Sequence, residues 1–128
     1  MSLLSRTEFL APTPRRYLDV DLPVKGGQVR IRSLTESEKE QYETDMLTDK
    51  GTPKRSAVQS ARRRLVALCL VDETGSLLLS PADVDALRIL DGKDLAVLQD
   101  SCMEHVGFKP TDLDSLEKNS GAVPVEGS

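Results

Sequence analysis

Few side chains in this sequence are of types and at spacings that could do chemistry. Cys102 and His105 stand three residues apart, so one helical turn would bring a thiol and an imidazole to one face, as half of a tetrahedral metal site. His105 is the single histidine. Two ligands do not close a site, so a helix histidine beside a core cysteine is the plainer reading, and no metal or other cofactor is expected. Asp72-Glu73-Thr74-Gly75-Ser76 offers oxygens in the manner of a calcium loop. Its glycine is misplaced and no glutamate closes it, so a turn is expected. Gly26-Gly27 precedes a second alternating run rather than a helix, which removes the phosphate-cradle reading. Lys54, Arg55, Arg62, Arg63 and Arg64 form the one basic cluster of a chain with net charge −4. A small nucleic-acid-binding regulator would use such a face. The competing reading is a solvated helix face, paired with acids of the preceding helix or with a protein partner. Because no nucleophile with its base, carboxylate pair or phosphate loop is recognisable, a non-enzyme is expected.

The elements that must carry these residues begin with two alternating runs. Val20 and Leu22 alternate with Asp19 and Asp21, and Val29 and Ile31 with Gln28, Arg30 and Arg32, the period of half-buried strands. Lys25-Gly26-Gly27 joins them and Pro23 closes the first, so residues 17–33 read as a β-hairpin. Acids on one strand and arginines on the other would pair across the solvent face. Ahead of the hairpin, residues 1–16 form a lead-in, with a short helix up to about Leu10 and an extended stretch imposed by Pro12 and Pro14.

Thr35-Glu36-Ser37-Glu38 is a capping-box pattern that starts a helix carrying Tyr42 and Met46 at i, i+4, with Gly51-Thr52-Pro53 expected to end it. A second helix is predicted over Lys54 to Leu70, its stripe made by Val58, Ala61, Leu65, Leu68 and Cys69. Leu65 to Val71 is apolar nearly all round and should be the most buried segment. Leu77-Leu78-Leu79 fits neither period. Ser80-Pro81 predicts a further helix through Val84, Leu87 and Leu90, and Asp91-Gly92 separates it from one presenting Leu95, Leu98, Cys102 and Val106 up to a Gly107 cap. A last short helix is predicted over Thr111 to Lys118, and 119–128 should be disordered.

These readings give a single α+β domain over 1–118, mostly α: a small N-terminal antiparallel β-hairpin (17–33) packed on a bundle of four or five helices (35–118). Its 128 residues suffice for one core, which must be aliphatic because aromatics make up 3% and tryptophan is absent. The same scarcity and the acidic balance argue against base stacking and against attraction to nucleic acid or anionic membrane. No apolar run reaches a membrane span, and Met1-Ser2-Leu3-Leu4 is followed by polar residues, so a cytoplasmic protein is expected. Cys69 and Cys102, both within apolar helical patterns, are expected to be reduced and buried.

Three blocks taken together carry a family likeness: Val20 to Pro23 with Gly26 to Thr35; Arg64 to Gly75; and Leu113 to Asn119. In their order and spacing the chain resembles the tail assembly chaperones of long-tailed bacteriophages and prophages. The likeness runs from about Phe9 to Asn119, with Val24-Lys25 standing where the family often has an acidic or aromatic residue before the double glycine. The resemblance implies a non-enzymatic protein of the host bacterium's cytoplasm, absent from the mature virion. Such a protein coats the tape-measure protein, keeps it soluble and assists tail tube polymerisation around it. It also implies a possible homo-oligomer, and contact with the tail tube protein through a longer, frameshifted product. A helix-in-groove contact with an apolar tape helix would use apolar residues not consumed by the core, for which Leu77, Leu78, Leu79, Leu113 and Leu116 are the candidates.

Overall fold

The computed structural model of the chain describes residues 2–108. The predicted helix at Thr111 to Lys118, with Leu113 and Leu116, and the 119–128 tail lie outside the described residues, as does the side chain of Val58.

β1 (Tyr17–Asp21) and β2 (Gln28–Arg32) pair antiparallel with Val20 opposite Val29 and Asp19 opposite Arg30. The alternation turns Val20 and Ile31 into the core. On the other face Arg30 grips both oxygens of Asp19 at 2.6 and 3.0 Å, and Gln28 donates to Asp21 at 2.9 Å. Gly26 and Gly27 take φ of +84° and +82°, a region glycine enters without a side-chain clash, and so let the chain reverse.

The hairpin is not left as two strands. β3 (Leu70–Val71) adds to β2, with Leu70 opposite Ile31, giving the order β1-β2-β3. Beyond a turn, Leu77 bridges back to Val71 and the Leu78 amide donates to the Leu70 carbonyl at 3.0 Å. The leucine run that fitted neither period is therefore the far edge of the sheet.

α1 (Arg6–Leu10) and α2 (Glu36–Asp45) both begin with the reciprocal bonds of a capping box. At α2 the Thr35 hydroxyl accepts from the Glu38 amide at 3.2 Å, and the Glu38 carboxylate accepts from the Thr35 amide at 2.8 Å. Tyr42 and Met46 are buried as their spacing predicts. The helix stops at Asp45, short of the expected Gly51-Pro53. The chain doubles back there: Leu47 bridges Pro53, and the Lys54 amide donates to the Met46 carbonyl at 2.7 Å.

The helix expected over Lys54 to Leu70 is two helices and the start of a strand: α3 (Arg55–Gln59), α4 (Ala61–Cys69), then β3. Ser60 makes the break. Its hydroxyl donates to the carbonyls of Ser56 and Ala57 at 3.0 and 3.2 Å, a back-bond that bends helices. Leu70 leaves the helical conformation because pairing with β2 satisfies its backbone. The segment is as buried as expected, except that Leu68 is only half-buried; the fully covered centre is Leu65, Val66 and Cys69. Each such apolar side chain contributes about 1.5–3 kcal/mol by leaving water.

Pro81–Asp83 and Asp85–Ile89 wind as 3-10 turns rather than one α-helix. Their i+3 bonds place Val84, Leu87 and Leu90 on one side, toward the core. α5 (Gly92–Val106) runs as expected between an Asp91 cap and Gly107 at φ +91°, and packs on α4 through Leu98, Cys102 and Val106. Phe108 then returns onto Tyr42, ring centroids 5.6 Å apart, with the Lys39 ammonium 4.9 Å from its ring centre.

A buried carboxylate ties the two ends of this arrangement. Asp94, 2% exposed in the first turn of α5, accepts from the backbone amides of Val24 and Lys25 at 2.8 and 2.9 Å. The hairpin tip is thereby fastened to a helix 70 residues away. No helix among the described residues is long and apolar enough to cross a membrane.

Candidate partner-binding groove

α2, α4 and the segment from Leu77 to Asp85 enclose an open groove of about 490 Å³. Leu68, Leu77, Leu79 and Val84 make its apolar wall, and its charged lining is Glu38, Asp45, Arg64 and Asp85. The three candidate leucines divide between two surfaces, because a strand-like edge alternates its side chains. Leu77 and Leu79 line the groove, whereas Leu78 borders a separate depression with Val29, Val71 and Glu73. Leu77 and Leu78 are each 48% exposed, and Leu79 packs partly against the core. At the groove floor α2 is tied to α4: the Tyr42 hydroxyl donates to the Ala61 carbonyl at 2.8 Å, and burial pushes that phenol's pKa up.

Glu38 joins this groove to the N-terminal lead-in. Both its oxygens accept from the Arg15 guanidinium at 2.7 Å, Arg15 also donates to the Ser33 carbonyl at 3.0 Å, and the Arg32 guanidinium lies 3.6 Å away. The hydrogen bonds from Arg15 hold the Glu38 carboxyl well below its ordinary range, at about 2, against the opposing effect of partial burial.

Of the basic cluster, Lys54 and Arg63 open with Arg64 and Arg88 onto a second, polar cavity of about 550 Å³ that also holds Asp45 and Asp85. Arg64 reaches Asp45 at 3.6 Å. Arg55 and Arg62 are exposed and do not line this cavity, and the break at Ser60 puts Arg55 on α3 and Arg62 to Arg64 on α4. Arg88 joins through the fold alone, which spacing along the chain could not reveal.

Cys102 and His105 are not brought together as a ligand pair. Cys102 is fully buried, its thiol pushed up in pKa by a hydrogen bond with Cys69 and by burial, and both cysteines are free thiols. The imidazole Nε2 of His105 lies 3.1 Å from the Arg16 carbonyl, and Arg16 donates to the His105 carbonyl at 2.8 Å. This reciprocal contact ties the lead-in to α5. Among the described residues no three His, Cys, Asp or Glu side chains gather as a metal set. In the Asp72 loop, the carboxylate accepts from Thr74 and Ser76 of its own turn at 2.6 to 3.1 Å, which is the turn the sequence predicts.

No family model, curated protein or solved structure matches this chain.

Proposed function

We propose that the protein is a non-enzymatic tail assembly chaperone of a long-tailed phage or prophage, working in the host cytoplasm. It would bind and solubilise the tape-measure protein and assist tube polymerisation around it. The observation that carries this reading is the groove itself, an open surface depression walled by Leu68, Leu77, Leu79 and Val84. An apolar stripe on a long helix fits such a surface side-on, and a basic residue flanking the stripe would meet Asp85, the groove acid with no ion-pair partner among the described residues. The resemblance adds a second support, because two of its three blocks meet in the fold, the first supplying β2 and the second supplying α4 and β3.

A helix seated in one shallow groove is held weakly, so a long tape would be retained by many copies and still be released as the tube closes. Co-expression with the tape-measure protein of the same tail module tests the reading. The soluble, co-purifying fraction of the tape should rise with the wild-type chain and fall back with Leu77→Asp. A tape that stays insoluble and does not co-purify with the wild-type chain would sink the proposal.

A further inference from the structure

The N-terminal arm, residues 2–14, is exposed throughout. It nonetheless carries four large apolar side chains: Leu3, Leu4, Phe9 and Leu10, which are 97%, 66%, 74% and 59% exposed. α1 buries nothing, yet it is locally complete. Ser5 and Glu8 form a reciprocal capping box, and Leu4 and Phe9 occupy the N′ and N4 positions that a hydrophobic staple uses. A helix of five residues is marginal in water without a surface to lie on. The body of the same chain supplies such a surface unfilled, the groove walled by Leu68, Leu77, Leu79 and Val84.

We infer that the arm of one copy docks through Phe9 and Leu10 into the groove of a second copy of this chain. Charge agrees with this pairing. Arg6 of the arm and Asp85 of the rim have no ion-pair partner among the described residues, whereas Glu38 and Asp45 are already paired with Arg15 and Arg64. The acidic segment Asp112 to Glu117 is a poorer match for that rim. Geometry favours the neighbour's groove over the arm's own. Arg15 is clamped to Glu38 on the groove rim, yet no residue of the arm lines that groove. Ala11 is extended, at ψ 138°, and Pro12 and Pro14 restrict themselves and the residues before them to extended backbone. Docking into a second copy lets this extended stretch reach a groove without turning back. It closes as a dimer if reciprocal and runs on as a chain of copies if not. The inference stands on arm and groove, and not on the tape reading.

The test is mass in solution by sedimentation and light scattering over a dilution series of the full chain. Wild type should populate a dimer or larger species, and Phe9→Asp with Leu10→Asp should be monomeric and still melt cooperatively, at a Tm that no longer varies with protein concentration. Leu77→Asp, at a half-exposed groove position, should also be monomeric. Mixing the arm variant with the groove variant should restore a one-to-one complex, because one intact arm and one intact groove remain between them. A wild-type monomer at every concentration would overturn the inference. So would arm variants that still associate, which would place the interface elsewhere, or a mixture that stays monomeric. A chain that is monomeric yet solubilises the tape would leave the proposed function standing and remove this inference alone.

Discussion

The centre of the molecule and its N-terminal arm use the same kinds of side chain to opposite ends. Ile31, Leu65, Val66 and Cys102 have no accessible surface, whereas Leu3, Leu4, Phe9 and Leu10 lie in water. The core is already closed without the arm, by β2, α4 and α5 around those four residues. Stability therefore gives no reason for the arm's leucines and phenylalanine, and a contact made outside the monomer does. Leu79 lies between the two cases: it packs partly against the core and faces the groove, beside the more exposed Leu77.

That contrast can be broken by placing charge on each side of it. Leu65→Asp should abolish the cooperative thermal melt, because a carboxylate in a fully covered position costs more than about 4 kcal/mol. Leu68→Asp, at the half-buried groove wall, should keep a cooperative transition; loss of folding there too would mean that the groove is part of the core. Next in size is Asp94→Ala, which leaves two backbone amides without their acceptor. It should cost about 2–3 kcal/mol, lower the Tm by on the order of 10 °C, and speed amide exchange at Val24 and Lys25.

The Glu38 clamp sets a smaller, pH-dependent effect. Its folded pKa of about 2 lies below the ordinary 4.5, so the unfolded chain binds the proton more readily, and stability falls as pH drops. The contribution should be complete above about pH 5 and lost by about pH 2, on the order of 2 kcal/mol after allowance for solvent around the pair. Denaturant melts of Glu38→Gln should show a flatter profile across that window; an unaltered slope would show that the ion pair is open in solution. Smallest of all, Phe9→Asp should change the stability of the monomer by no more than about 0.5 kcal/mol, measured at concentrations that dissociate any oligomer. A large loss in a calorimetric scan would mean that the arm belongs to the monomer's core after all.

The hairpin register, the Thr35 cap and the Asp91 to Gly107 helix were legible because each is written in neighbouring residues: alternation, a hydroxyl three places before a glutamate, a glycine after an apolar stripe. Leu70–Val71 was not, because a run that is apolar on every side fits a buried helix and a buried strand alike, and only pairing with β2 decides between them. Val84, Leu87 and Leu90 held a signal that could have been read. Their strict spacing of three suits a 3-10 turn better than an α-helix, whose stripe mixes threes and fours. The groove itself was beyond reach of spacing. Leu77 and Leu79 could be named as candidates, but their parting from Leu78, and the arrival of Asp85 beside them, follow from how the edge of the sheet meets α4.

The Asp94 clasp also bears on the order in which the chain can assemble. During synthesis the hairpin emerges early, but its third strand arrives some forty residues later and the carboxylate that holds its tip later still. Until Asp94 has emerged, Val24 and Lys25 keep only water for their amides, and the inward face of β1 and β2 lacks α5. The first recognisable element of the sequence is thus among the last to be made secure, and the folding rate should be governed by these distant closures rather than by the hairpin turn.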